Sequence, residues 1–224
     1  MNSFFNLDRI MSIFNYIFWF FLLNLFFMIL NIPIVSFFIF VGISNIFHYL
    51  PLFLICLIPI GSSITASLYC MGKLIRNGDL SIIKDFIKGL KLNFKQSTIL
   101  WCCELILIFI LYSNIKFFST AKYSLILTCL FSSLIILIAL VTPYIYLLIS
   151  RFSMSSIDII KASIILVFNR PILTICNILI FFFSLILFEA IPGTVILFAS
   201  SIFTFLISFA SKSLLLDLES SNSK

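Results

Sequence analysis

Residues 123–148 read YSLILTCLFSSLIILIALVTPYIYLL, and no Asp, Glu, Lys, Arg or His interrupts them. As a helix rising 1.5 Å per residue the stretch is about 39 Å long, more than the roughly 30 Å of a bilayer's hydrocarbon core. A surface helix of a soluble protein shows a charged or polar face to water, and this one has no charge to show. The stretch predicts a transmembrane helix, and the rest of the chain is built alike. Of 224 residues, 62% are hydrophobic and 10% charged. A soluble domain averages about 45–50% apolar and about 25% charged. A soluble globular fold is therefore excluded, and so are a disulfide-rich secreted module, a collagen-like chain and a disordered tail.

Working outward, further apolar runs cover approximately 13–32, 33–47, 50–72, 98–115, 171–188 and 192–211. The run at 33–47 has about 15 residues against the ~20 that a crossing needs, and Pro33 disfavours a continuous helix there. It reads as a re-entrant or interfacial element, or as an extension of the first helix. The expectation is an all-α, polytopic bundle of six spans (13–32, 50–72, 98–115, 123–148, 171–188, 192–211) in one membrane domain, residues 1–224. Asp8 and Arg9 precede an apolar run too long for a signal peptide, so the first span is expected to be retained.

Charge sets the expected orientation. The net charge is +6, with 14 Lys and Arg against 8 Asp and Glu. The basic residues sit in short loops, which points to the positive-inside rule rather than to nucleic acid. The segment 73–97 alone carries Lys73, Arg76, Lys84, Lys88, Lys91 and Lys95. With that segment inside and 33–47 not crossing, 12 of the 14 basic residues are cytoplasmic. Lys116 and Lys122 fall outside. The expected location is a bacterial cell membrane, multi-pass, with both termini cytoplasmic.

The basic segment contains SIIKDFIKGLKLNFK at 81–95. At 100° per residue Ile82, Ile83, Phe86, Ile87, Leu90 and Phe94 gather on one side, and Lys84, Lys88, Lys91 and Lys95 on the other. This predicts a cytoplasmic amphipathic helix between spans two and three, lying in the inner interface with its lysines toward anionic headgroups or a partner. Asn77-Gly78 supplies a turn before it, and Asp79 or Ser81 a cap. Asn93 on the apolar side and Gly89 beside it have no use on a lipid-facing helix; both suit close packing against another helix. A gapped echo links Pro59, Ser81-Ile82-Ile83-Lys84 and Phe94 to Pro143, Asp158-Ile159-Ile160-Lys161 and Phe168, as two units of span, cytoplasmic helix, span.

Ionisable groups inside a membrane are costly and each is a functional candidate. Glu104, two turns into the run at 98–115, is the main one. It either stays near the inner interface, paired with Lys91 or Lys95, or forms a proton or cation site. The small residues at Gly61-Ser62-Ser63-Ile64-Thr65-Ala66-Ser67 allow close helix approach, with Pro59 bending the helix before them. Such a bend also suits the lining of a substrate path. The six cysteines lack C-x-x-C spacing and the single His48 offers no partner, so no metal or other cofactor is expected. There is no G-x-x-x-x-G-K-[ST], G-x-S-x-G or H-E-x-x-H, and no catalytic residue is assigned. The chain reads as a non-enzyme.

Three stretches carry a family resemblance. Pro59-Ile60-Gly61 through Ala66-Ser67-Leu68-Tyr69 is similar to a proline-glycine, small-residue, Ala-x-x-Tyr pattern. Asp85-Phe86-Ile87-Lys88-Gly89 through Asn93-Phe94-Lys95-Gln96 looks like D-F-x-K-G-x-x-x-N-F-x-Q. Pro143 through Arg151-Phe152 resembles P-x-x-x-x-x-x-x-R-[FY]. Together they resemble the YesL-like family of bacterial integral membrane proteins of unknown function. The resemblance implies a role accessory to carbohydrate uptake and assigns no catalytic residues. The candidate docking residues for a partner, such as a membrane transport complex, are Asp85, Phe86, Lys88, Gly89, Asn93 and Phe94. The alternative is a small transporter or channel for a small solute. The bilayer is the one partner composition itself requires; oligomeric state is not readable.

Overall fold

The computed structural model describes residues 7–118, 124–190 and 197–222. Every regular element among them is helical. Helix α1 (Leu7–Leu30) stops at Asn31, whose side-chain amide donates to Phe27 O at 2.8 Å and to Ser63 Oγ at 2.7 Å. The following Ile32-Pro33 starts a new helix, α2 (Ile32–Phe40). Its nine residues span about 14 Å, less than half a hydrocarbon core. Gly42, at φ 81°, ends it, and a 3₁₀ turn (Ile43–Asn45) leads on. The apolar segment 33–47 is thus a short helix and a turn, in keeping with its length and its proline.

Helices α3 (Leu50–Cys56) and α4 (Ile58–Asn77) form one span-length unit with a break at Leu57, two residues before Pro59. Gly78, at φ 74°, closes α4 by donating its N–H to Leu74 O at 2.9 Å, a left-handed cap that glycine adopts without strain.

Helix α5 (Ile82–Phe118) corrects the expectation of a separate interfacial helix at 81–95. It runs unbroken for 37 residues, about 55 Å, and absorbs both the amphipathic segment and the span at 98–115. No proline lies between 82 and 118 and Gly89 is the only glycine, so nothing interrupts the ladder at Gln96-Ser97-Thr98.

Helix α6 (Ser124–Arg151) carries Pro143 internally. Helices α7 (Ser156–Asn169) and α8 (Pro171–Ala190) meet at 97°, and α9 (Ala199–Ala210) and α10 (Lys212–Asn222) at 49°. Among the described residues, four units are long and apolar enough to cross a membrane, and up to six if each bent pair counts as one span. The chain is a multi-pass membrane protein by these helices. Lys122 and the first residues of the run at 192–211 lie outside the described residues.

Packing follows membrane rules rather than soluble ones. Phe14, Ile17, Phe18, Phe21, Leu25 and Ile29 form an exposed apolar face on α1, as lipid contact allows. The interior instead collects small and polar residues: Gly61 through Ser63 and Thr65 through Ser67 are all buried in α4, as are Ser201, Thr204 and Ser208 in α9. The small-residue cluster is therefore a packing surface. Without a hydrophobic force between helices in lipid, close backbone approach and hydrogen bonds drive association. Two apolar clusters complete the core. One centres on Tyr144, Tyr146, Leu147 and Leu148 of α6, the other on Leu23, Met71, Leu74 and Phe86, and α4 contributes to both.

Candidate functional site

The candidate docking residues fall on two sides of α5. Asp85, Phe86 and Gly89 face inward, with Asp85 7% and Phe86 2% exposed. Lys88 is exposed, Phe94 is 52% exposed and Asn93 is half-buried. Asp85, Phe86 and Gly89 thus pack inside this chain, while Lys88 and Phe94 face outward.

Each has an identifiable job. Lys73 Nζ donates to both Asp85 carboxylate oxygens, at 2.8 and 2.7 Å, and the Ser81 N–H donates to Asp85 Oδ2 at 2.9 Å. One carboxylate therefore ties the end of α4 to the start of α5 and takes up an otherwise orphan donor at the helix entry. Phe86 stacks on Phe26 of α1, with ring centroids 5.6 Å apart.

Gly89 admits Tyr69 of α4: a Cβ there would lie 2.8 Å from Tyr69 Cδ1 and 3.0 Å from Tyr69 Cβ. Gly61 of α4 returns the favour to Trp101 of α5, whose Cβ would be 2.5 Å from an added methyl. Trp101 Nε1 also donates to Leu57 O at 2.8 Å, at the break before Pro59. The α4–α5 hairpin is thus pinned by two reciprocal glycine–aromatic contacts and an ion pair. Tyr69, Gly89 and Asp85 were each visible in the sequence patterns. Lys73 and Trp101 were not, because their partners lie 12 and 44 residues away.

The outward side of the same four turns carries Lys84, Lys88, Lys91 and Lys95, all exposed, beside Ile83, Ile87, Leu92 and Phe94. None of the four lysines forms an ion pair among the described residues. Gln96, the last residue of the D-F-x-K-G motif, reaches across to the second half of the chain. Its Nε2 donates to Met154 O at 2.9 Å and to Ser156 Oγ at 3.2 Å.

Glu104 does not pair with Lys91 or Lys95. Its Oε2 accepts from Thr142 Oγ1 of α6 at 3.3 Å, and Tyr146, one turn on, is the other neighbour close enough to interact. Glu104 Oε1 and the Tyr146 hydroxyl are both buried without a hydrogen bond inside 3.5 Å. Glu104 also borders an apolar cleft of about 270 Å³ between α5, α6 and α7, with Leu107, Ile138 and Ile164. The cluster was not legible in the sequence, since Thr142 lies 38 residues from Glu104.

Residues 12–115, a little under half the chain, match the family described as "Protein of unknown function, DUF624". The match ends before α6 and includes the whole α4–α5 hairpin up to Ile115. No curated protein and no solved structure matches the chain.

Proposed function

We propose that the protein is a non-enzymatic accessory subunit of a bacterial cell membrane, with both termini cytoplasmic, and that it docks a membrane transport complex on the outward face of α5. The observation that carries this reading is the row of four lysines, Lys84, Lys88, Lys91 and Lys95, which form no ion pair among the described residues, on a helix segment that Lys73–Asp85, Phe86 and Gly89 hold rigid from behind. A rigid, unsatisfied cationic ridge steers and orients an acidic surface at little ordering cost. The D-F-x-K-G-x-x-x-N-F-x-Q pattern then builds the platform, and the lysines present it. The carbohydrate setting comes from the resemblance to the YesL-like family.

A photo-crosslinker at Ile87 or Lys91, in cells co-expressing a carbohydrate permease, tests the reading. Adducts to permease subunits from these two positions, and none from the buried Phe86 position, are expected. Unchanged co-purification after reversing all four lysines to glutamate would overturn it.

A second reading is favoured by one observation, the buried Glu104 carboxylate, which accepts from Thr142 Oγ1 at 3.3 Å and lies beside the buried Tyr146 hydroxyl. Ionisable groups inside a membrane are expensive and tend to mark ion or solute paths. On this reading the chain is a small transporter. Liposomes holding the wild type would then show substrate-dependent flux under a pH gradient, lost in Glu104→Gln; no flux across a broad solute panel would remove it.

A further inference from the structure

A second set of cations lies away from the α5 ridge. Arg76 near the end of α4, Arg151 at the end of α6 and Lys212 at the start of α10 line one cavity of about 40 Å³, together with Gly72, Ser150 and Leu215. A single water needs about 10–15 Å³ of such volume, so the space holds roughly three, the size of one oxyanion. Arg151 is paired there with Glu219 of α10 through both Nε and Nη2. Arg76 and Lys212 form no ion pair among the described residues. Three positive charges therefore meet one negative charge around a cavity.

Helix-end electrostatics account for part of this. Arg76 and Arg151 occupy the last turns of α4 and α6, where a cation offsets the partial negative charge of the helix end. Lys212 lies one residue past Ser211, the C-cap of α9, and opens α10, so the two helix ends offset one another there and its charge has no ion-pair partner among the described residues. Glu219 is already engaged by Arg151. Gly72 keeps the space open: a Cβ there would have only Arg76 Nη1 within 4 Å, at 3.9 Å.

We infer that this cavity is a binding site for a phosphate-type oxyanion, held by Arg76, Arg151 and Lys212, with Glu219 occupying Arg151 when the anion is absent. Guanidinium groups pair with phosphate through parallel N–H donors, and lysine adds a point charge. The phosphate belongs either to a soluble phosphate compound or to a lipid headgroup. The site is independent of the docking surface on α5.

The full chain in phosphatidylcholine nanodiscs tests the inference by thermal unfolding at constant ionic strength. One arm titrates inorganic phosphate; the other replaces part of the lipid with phosphatidic acid. A saturable rise in unfolding temperature is expected in at least one arm, and which arm responds identifies the source of the phosphate. Arg76→Gln with Lys212→Gln should weaken the apparent affinity at least tenfold. Both side chains are exposed and unpaired, so the fold should persist. Glu219→Gln should tighten binding several-fold by releasing Arg151, and Gly72→Ala should weaken it by filling the space without removing charge. Lys88→Gln with Lys91→Gln should change it less than twofold. No saturable response in either arm, or equal weakening by the Lys88 and Lys91 substitutions, would overturn the inference.

Discussion

The α4–α5 hairpin and the α6–α7–α8 segment begin alike and end differently. Each has a helix with an internal or near-terminal proline, Pro59 or Pro143, followed by a serine-led second helix. In the first unit the second helix continues for 37 residues. In the second it stops after 14, and the chain turns through 97° into α8. The cause is local. Pro171 pushes Arg170 out of the helical region, to φ −125° and ψ 62°. Thr174 then settles the freed carbonyls, donating to Val167 O at 3.0 Å while its hydroxyl also bonds that of Tyr144 at 2.8 Å. Charges divide the same way. The first unit closes its ion pair internally, Lys73 to Asp85. The second sends Arg151 and Arg170 outward to Glu219 and Asp217 of α10. One unit is self-supporting, and the other leans on the C-terminal helix.

That contrast can be broken most severely at the glycines. Gly61→Ala and Gly89→Ala should each cost about 2–3 kcal/mol, within the usual range for overpacking, because the atoms met are the Cβ of Trp101 and of Tyr69 rather than flexible ends. Gly72→Ala, in open space on the same helix, should be neutral or stabilise by up to about 1 kcal/mol. Detergent or thermal unfolding of the three variants side by side gives the comparison, and equal losses would show that the hairpin is not pinned at those two points.

Asp85→Ala comes next, at about 2 kcal/mol, since it strands Lys73 and the Ser81 N–H together. Arg151→Gln should cost about 1 kcal/mol, its partner Glu219 being 38% exposed. It should lower hydrogen-exchange protection in α10 while leaving α4 and α5 unchanged; loss of protection in α5 would show that the first unit is not self-supporting. The smallest effect belongs to Arg170→Gln. That pair is 51% and 58% exposed, and its loss should change stability by less than about 0.5 kcal/mol.

The legible and illegible parts of this fold separate on one physical point. The short element at 33–47, the packing role of Gly61 through Ser67 and the close approach at Gly89 follow from length, proline and residue size. The buried face of α5 does not follow from hydropathy. A helical wheel groups Ile83, Ile87 and Phe94 with Ile82, Phe86 and Leu90 on one apolar side, yet Ile83 is 56%, Ile87 42% and Phe94 52% exposed while Ile82, Phe86 and Asp85 are buried. In water the apolar side of a helix turns inward. In a chain whose surroundings are themselves apolar, that preference weakens, and small or hydrogen-bonding residues choose the interface. The same reason hides Glu104: nothing near it in sequence announces Thr142 and Tyr146. The unbroken course of α5 through Gln96-Ser97-Thr98 was also missed, because a change from amphipathic to uniformly apolar pattern looks like a boundary while the backbone meets no obstacle.

Gln96 gives the two units a mechanical relation. Its amide grips Met154 O and Ser156 Oγ at the elbow where α6 hands over to α7, from a helix whose other turns carry the lysine ridge. A stiff rod clamped to α4 along that ridge and tied by Gln96 to the neighbouring elbow acts as a brace: it ties the first unit to the joint that sets the direction of α7.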